Sequence, residues 1–428
     1  MADADSGRSG RHVAVIGAGM VGVATAVWLQ RLGQRVTLID REGPAAGASF
    51  GNGGVLASCA VVPVTVPGLL ARAPRMLLDP RAPLFLRWSY LPRLAPWMIR
   101  YLSHANAADT RRIATALAGL VGNSLADHQA LAAQTGAEAL VVPSEYIYLY
   151  RSRQDYAADS FGWELRRALG FRWDEAEGAR ARDCDPAIGP GVNFIARLQD
   201  HGRINDPGSY VERLAAHVVA QGGKFLKAEL RDIARAGGHV TGVRLATGDG
   251  HEETLGCDAV VLATGAWSGP MASRLGLRVP LESERGYHID LWEPSHSLRA
   301  PMMVAAGKFV VTPMEGRLRL AGIVEYGGLD AGPSTAPLRL LRHHIARTFP
   351  ELRWQRETEW MGHRPVPADS LPLIGEVPGL SGAWLGFGHH HIGLTGGART
   401  GQVLAQMIAG QHVNLPLAPF APGRFQKP

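Results

Sequence analysis

The stretch His12-Val-Ala-Val-Ile-Gly17-Ala-Gly19-Met-Val-Gly22 decides the fold. Its first five residues are apolar and rich in β-branched side chains, the pattern of a parallel strand buried on both faces. An apolar helix is predicted from about Val21 to Leu32, closed by Gly33 just past its C-terminus. Arg35-Val-Thr-Leu-Ile-Asp40 then reads as a second strand and completes a βαβ unit. Within it, Gly17 permits the tight turn, Gly19 lets the backbone approach a pyrophosphate, and Gly22 lets helix and strand pack closely. The start of the helix, with Ala18, Met20 and Val21, offers N–H groups and a positive dipole to phosphates. Asp40 stands 18 residues past Gly22 and is followed by Arg41; a carboxylate there accepts hydrogen bonds from a ribose diol. Strand, glycines, helix and acid in register point to a bound dinucleotide, without separating NAD from FAD.

Working outward, similar elements recur. Asp258-Ala-Val-Val-Leu-Ala-Thr-Gly265 and Ala383-Trp-Leu-Gly-Phe-Gly388 read as buried strands, the latter leading into a helix at about Gly397–Ala409. A helix from Pro207 to Gln221 precedes a strand at Lys224–Leu230. Alternating runs at Tyr146–Tyr150, Arg285–Leu291, Phe309–Pro313 and Leu318–Ile323 suggest antiparallel strands. Residues 111–135 read as helical. The expected organisation is α/β: one nucleotide-binding domain made of discontinuous pieces, 12–58, 196–275 and 360–428. A second domain is inserted as 59–195 and 276–359, and residues 1–11 form a disordered leader.

Composition narrows the function. The 428 residues carry a net charge of +6, with 46% hydrophobic and 19% charged residues, which excludes a disordered chain and a multi-span membrane protein. Basic residues are scattered and aromatics are not interleaved with them, so no nucleic acid is expected as partner. Trp88, Leu91, Ala95, Met98, Ile99 and Leu102 recur at helical spacing, although Pro92 and Pro96 should break or kink such a helix. Two readings stand for residues 84–102: a packing helix or lid of the second domain, and a peripheral contact with the inner membrane. Three widely spaced cysteines, Cys59, Cys184 and Cys257, and a polar N-terminus without an apolar core lead to a reducing, cytoplasmic setting.

Several distant segments carry a family resemblance. Ala48-Ser-Phe-Gly-Asn-Gly-Gly54, Ala263-Thr-Gly265-Ala-Trp267, Trp360-Met-Gly-His-Arg-Pro365, Asp369–Gly375 and Gly388-His-His-His-Ile-Gly-Leu-Thr395 resemble the D-amino-acid oxidase superfamily of FAD-dependent oxidoreductases. Gly47–Gly54, Val62–Pro67, Glu284–Ile289, Trp360–Gly375 and Phe420–Phe425 carry the likeness to its bacterial D-amino-acid dehydrogenase group and glyphosate oxidoreductase-like branch. The resemblance implies a glutathione-reductase-type FAD-binding Rossmann domain with an inserted antiparallel-sheet substrate domain. It places FAD against Ala48, Ser49, Asn52, Gly53 and Gly54, then Leu230, Ala263, Thr264, Gly265 and Trp267. At the C-terminal end it adds Gly388, His389, Ile392, Gly393, Leu394 and Thr395. No cysteine lies near the C-terminus, where sarcosine-oxidase relatives tether flavin, and the Ser49-Phe50 loop lacks the histidine other relatives use, so the FAD is expected to be non-covalent.

The resemblance also assigns Arg364 to the substrate carboxylate, which suits a planar guanidinium. It turns His391 toward the substrate side of the flavin. Tyr287 matches an aromatic of the substrate domain, with His288 beside it; alternation allows at most one of the two to face the cavity, and a core tyrosine is the competing reading. Tyr148 and Tyr150 read as packing. No metal is expected at His389–His391, because adjacent histidines project in different directions. The expected activity is oxidation of an amino acid, D-amino acids foremost, by hydride transfer from Cα to flavin N5, giving an imino acid and then a 2-oxo acid. Alternatives are oxidation of secondary amines such as N-substituted glycines, cyclic imino acids or glyphosate, and a flavoprotein subunit feeding a membrane electron-transfer complex. The substrate partner is a small carboxylate-bearing amine; the electron acceptor, quinone or oxygen, and the oligomeric state stay open.

Overall fold

The computed structural model describes residues 10–71, 83–248 and 250–426; the expected leader, apart from its last two residues, lies outside them. The opening strand forms at His12–Ile16, with the parallel strands Arg35–Asp40 and Ala259–Leu262 on either side. Lys224–Ala236 and Ala383–Phe387 extend this parallel block outward. Across the block the strands run third, second, first, fourth, fifth in chain order, the order that begins dinucleotide-binding sheets. Antiparallel strands close both edges: His239–Thr247 and Glu252–Gly256 on one, Leu373–Glu376 on the other.

The two faces of this sheet are both covered, as the unbroken apolar strands require. Val13, Val15, Leu38 and Val261 pack with side chains of the helices Met20–Arg31 and Gly397–Ile408. Ala14, Ile16, Ile39 and Val260 pack with Val243 and Leu245 from the antiparallel edge. The first helix ends at Arg31, with Gly33 at φ +75° just beyond it.

A second, larger sheet runs in the order Arg356–Pro367, Leu281–Trp292, Arg317–Tyr326, Phe309–Met314, Met302–Val304, Val141–Tyr150, Phe194–Ile204, Val55–Leu56. It is mostly antiparallel; Met302–Val304 pairs parallel with Val141–Tyr150. The membership of its strands corrects three boundaries. Val55–Leu56, Phe194–Ile204 and Arg356–Pro367 all belong here, so the divisions expected at 58, 196 and 360 fall beyond or inside strands of the second sheet. A short apolar run looks the same whichever sheet it joins, and its partner is far away in sequence.

The helix expected around residues 88–102 spans Leu91–Ser103, preceded by a turn of 3₁₀ helix at Trp88–Tyr90. Pro92 sits in its first turn, where the missing N–H costs nothing, and the helix continues through Pro96 with one ladder bond fewer. Leu94, Trp97 and Tyr101 are buried against Tyr326 and Val366, while Trp88 and Ile99 face outward.

The sheets are tied together near the start of the Gly397–Ile408 helix. His128, fully buried on the helix Ser124–Ala132, meets the Leu394 carbonyl through Nε2 (2.9 Å) and the Tyr210 hydroxyl through Nδ1 (3.0 Å). Nε2 donates and Nδ1 accepts in a neutral ring. Burial pushes His128 down to about 4, although the Leu394 carbonyl acts in the opposite direction. Between its ordinary value near 6.5 and about 4, the unfolded chain takes up a proton that the folded protein refuses, so stability falls as pH falls through that window. The slope is at most about 1.4 kcal/mol per pH unit from this one group. Urea unfolding of wild type and His128→Gln at pH 7.5 and 5.0 should show a smaller pH-dependent loss in the variant.

Candidate active site

One cavity of about 1220 Å³ runs from the glycine turn to the face of the second sheet. At the turn, Gly17, Gly19, Met20 and Val21 line it, whereas Ala18 and Gly22 do not. The Ala18 N–H instead donates to Asp40 Oδ2 (2.8 Å). Gly22 packs onto the turn, where a Cβ would stand 1.9 Å from the Gly17 carbonyl oxygen. Gly19, at the N-cap, has no side chain to cap the helix, and no acidic residue occupies the first turn. The Met20 N–H donates to Ser49 Oγ (2.9 Å), and the helix N-terminus facing the cavity beside it fits a phosphate group. Asp40 and Arg41 line the cavity at the end of their strand, and the Arg41 guanidinium lies 4.6 Å from the centre of the Trp267 ring. Leu230, Ala263, Thr264 and Gly265 complete this end.

The loop Gly47–Gly54 lies directly on the second sheet. A Cβ at Gly51 would stand 1.9 Å from Trp360, and one at Gly53 would stand 2.9 Å from Val310 Cγ2. Its carbonyls are held from below. Arg319 donates to Phe50 O (2.7 Å) and Asn52 O (3.0 Å), His288 Nδ1 to Gly51 O (3.0 Å), and Thr312 Oγ1 to Gly53 O (2.5 Å). Arg319 is itself paired with Asp290 by two bonds, Nε–Oδ1 at 2.7 Å and Nη2–Oδ2 at 2.8 Å. Ala48, Ser49, Asn52 and Gly53 therefore line the cavity; Gly54 does not, and its N–H closes a turn onto Asn52 Oδ1 (2.9 Å).

This arrangement corrects the expectation for His288. The ring is 2% exposed, stacks under Trp360 with centroids 5.1 Å apart, and does not line the cavity. Burial, then the Arg319 charge, pushes it down to about 4. Its neighbour Tyr287 touches the cavity's edge, but its ring is buried in the core with Ile289, Leu291 and Leu320, on the sheet face opposite His288, and its hydroxyl donates to Glu325 Oε2 (2.5 Å) and accepts from Ser334 N–H (3.0 Å). Strand alternation thus turns the tyrosine into the core, the competing reading, and its polar end is occupied there. Tyr148 and Tyr150 pack in an aromatic cluster with Trp163, and together with Tyr146 they also line the cavity.

Arg364 lines the cavity from the strand Arg356–Pro367. Its Nη1 donates to Glu284 Oε1 (2.8 Å), on the paired strand directly opposite. The guanidinium lies flat across Gly286, where a Cβ would stand 2.5 Å from Arg364 Cζ. Nη2 comes only to 3.5 Å from the Gly322 carbonyl, so this edge of the fork remains open to an anion. Glu284 is 2% exposed and also meets His390 Nε2 at 2.9 Å. Burial alone would raise this carboxyl; His390 and Arg364 more than offset it and hold it well below the usual carboxylate range. Glu284 and Gly286 were absent from the expected site, although both stand beside Tyr287 in the stretch Glu284–Ile289. Glu284 pairs across strands with Arg364 and Gly286 with Gly362 beside it, and that placement is what gives them a role.

At the C-terminal end, Gly388, His389, His391, Gly393, Leu394 and Thr395 line the cavity. Ile392 does not; it is buried in the core beneath the first sheet. His389 bonds Thr400 Oγ1 (2.9 Å) and is pushed down to about 3 by burial. His391 is exposed to the cavity, edge-on to His390 at 4.6 Å, and burial in the surrounding protein followed by the His390 charge pushes it down to about 3. Thr395 Oγ1 donates to the Val55 carbonyl (3.2 Å), joining this turn to the edge of the second sheet.

Comparisons with known proteins agree with this geometry. A family model described as DAO, FAD dependent oxidoreductase, matches residues 12–407. The D-amino-acid oxidase of Bradyrhizobium diazoefficiens is 39% identical over 423 residues, 97% of this chain and 99% of that protein. A D-amino acid dehydrogenase of Paramagnetospirillum magneticum is 31% identical over 93% of this chain and 95% of its own. Among solved structures, L-proline dehydrogenase from P. horikoshii shares the fold with a TM-score of 0.74 at 18% identity, covering 98% of each chain. Glycine oxidase from Geobacillus kaustophilus gives 0.72 at 21% identity, covering 97% of this chain and 100% of its own.

The close approach at Gly286 yields a test. Gly286→Ala must displace the Arg364 guanidinium, and calorimetric titration with acetate should show affinity weakened about tenfold, equivalent to about 1.4 kcal/mol. An unchanged acetate affinity in a folded variant would show that the flat seat on Gly286 is not needed.

Proposed function

The chain belongs to the DAO family of FAD-dependent oxidoreductases, and from that premise we propose that it oxidises D-amino acids to imino acids, which water converts to 2-oxo acids. The observation that carries the reading is Arg364: a guanidinium in the wall of the cavity, anchored by one arm to Glu284 and open along its other edge. The residues present fit FAD. The helix N-terminus after the Gly17–Gly19 turn suits its pyrophosphate, Asp40 suits its ribose, and the pinned Gly47–Gly54 loop with the Gly393–Thr395 turn suits its ring system.

FAD, when bound, supplies the acceptor for the hydride. The chain's own residues do the rest. Arg364 takes the substrate carboxylate by a charge-assisted pair, which fixes the direction of the Cα–H bond. Glu284 and His390 keep that guanidinium in one orientation before substrate arrives, so less freedom is lost on binding. The amine must be neutral before it gives up a hydride. His391, a neutral imidazole facing the cavity and too weak a base there to take the ammonium proton, can accept a hydrogen bond from the amine once that proton has left to solvent. Trp360 and Tyr326 contribute apolar wall that excludes water from the reacting carbon.

Support for the D-amino-acid class comes from the two relatives above 30% identity. Anaerobic bleaching of the visible flavin absorbance, with D-alanine, D-proline, L-alanine, sarcosine and glyphosate in turn, separates this reading from secondary-amine oxidation. In Arg364→Ala the substrate concentration for half-bleaching should rise about 100-fold, the worth of a strong charge-assisted hydrogen-bonded pair. Normal affinity in that variant would remove Arg364 from the site.

A second reading concerns electron transfer. Among the described residues no helix is long and apolar enough to cross a membrane, but Trp88 and Ile99 are 58% and 71% exposed beside Arg93 and Arg100. Apolar side chains interleaved with arginines support peripheral contact with an anionic bilayer, from which a quinone would take electrons. Flotation with anionic lipid vesicles should be lost in Trp88→Ser/Ile99→Ser.

A further inference from the structure

We propose that Arg166 forms a second anion subsite across the cavity from Arg364, selecting substrates that carry a distal carboxylate, so that dicarboxylic D-amino acids are preferred. The inference rests on the reading of the site as one for amino-acid oxidation and names its substrate class.

Arg166 projects from the helix Ser160–Ala168 into the cavity wall. Its Nε donates to the Cys59 carbonyl (3.1 Å) and Nη2 to the Tyr148 hydroxyl (3.4 Å). The guanidinium lies 4.8 Å from the Trp163 ring centre and 5.4 Å from that of Tyr148. These hydrogen-bonded contacts are to uncharged groups and fix its plane; the Cys59 thiol, which burial alone would raise but which His201 chiefly draws below its ordinary value, also feels the Arg166 charge. Among the described residues no carboxylate lies within ion-pair distance of Arg166, and Nη1 has no hydrogen-bond partner. Four other arginines with little exposure are treated differently. Arg285 meets Glu325, Arg317 meets Asp206 and Asp290, Arg319 meets Asp290, and Arg424 meets Asp369. The acid on the same side of the cavity, Asp159, is taken by Lys308 Nζ (3.6 Å) and the Tyr150 hydroxyl (3.2 Å). A cation removed from bulk water without a paired carboxylate, facing a cavity, is a receptor for an anion brought by a ligand.

The span suits one substrate. The Arg364 fork reaches the Gly322 carbonyl, Gly322 pairs with Phe309, and Met302–Val304 and then the Tyr148 strand follow. Three strand spacings of about 4.8 Å separate the backbone beside the Arg364 fork from the Tyr148 strand, so a group at the far end of the substrate, not its α-carboxylate, would meet Arg166. Met303 and Val310 line the intervening wall, an apolar floor for the methylene chain.

The FAD-loaded enzyme tests this in two ways. Calorimetric titration should show glutarate binding at least about tenfold tighter than valerate, its monocarboxylate match in length, and Arg166→Met should abolish the difference. In steady-state assays, kcat/KM for D-glutamate should exceed that for D-glutamine. Arg166→Met should lower it about tenfold, mostly through KM, leaving D-glutamine within about twofold, and Arg166→Lys should restore part of the loss. Equal binding of glutarate and valerate to wild type, or equal losses for both amino acids in the variant, would overturn the proposal. If Arg166→Met does not fold, the wild-type glutarate and valerate comparison decides alone. If neutral D-amino acids are oxidised and glutarate has no advantage, the subsite falls while the activity stands. If no amino acid bleaches the flavin, the activity falls and the titration still judges the subsite.

Discussion

The Arg319–Asp290 pair is the contact on which the site is built. A guanidinium only 1% exposed is held by both oxygens of one carboxylate and spends its remaining donor on the carbonyls of Phe50 and Asn52. Buried ion pairs contribute little net stability over apolar packing, yet losing one partner is severe because a charge is stranded. What the pair secures here is position. The loop after the second strand of the first sheet is pinned, carbonyl by carbonyl, to the second sheet. The site that lies between the sheets thus has walls whose relative placement is set by hydrogen bonds rather than by apolar contact alone.

The same logic explains the glycines of that loop. Side chains at Gly51 and Gly53 would collide with Trp360 and Val310, so the backbone can reach Arg319, His288 and Thr312 only without them. His288 belongs to this support rather than to the chemistry. An imidazole buried beneath a stacked indole, with Nδ1 donating to a carbonyl, is shut off from a substrate, and burial keeps it neutral.

Much of the nucleotide-binding half was legible in the sequence, because its information is local. The β-branched run at His12–Ile16, the glycine spacing and Asp40 each carry their structural meaning within a few residues. The strand Arg35–Asp40 forms over the residues expected for it. The second sheet was less legible. Its strands were found singly, but whether Val55–Leu56, Phe194–Ile204 and Arg356–Pro367 join one sheet or the other depends on partners dozens of residues away or more. The site suffers the same limit. Arg364 was found through a motif that surrounds it, whereas Glu284 and Gly286 act only because register sets them opposite Arg364 and Gly362. Tyr287 shows a finer loss: alternation gives the direction of its ring and says nothing of Glu325, which occupies its hydroxyl.

Charge placement around the cavity follows one rule with two outcomes. At Arg364 the protein supplies its own carboxylate, Glu284, and backs it with His390, so the guanidinium is oriented yet only half neutralised. At Arg166 it supplies aromatic faces, a carbonyl and a phenol, which orient equally well and neutralise nothing. Orientation without neutralisation leaves the electrostatic work to whatever enters. Desolvating both cations at once is costly in the empty site and is offset only by a ligand with two negative groups at the right separation. Such a site discriminates by the penalty of leaving one guanidinium unpaired, which exceeds the gain from any single added contact.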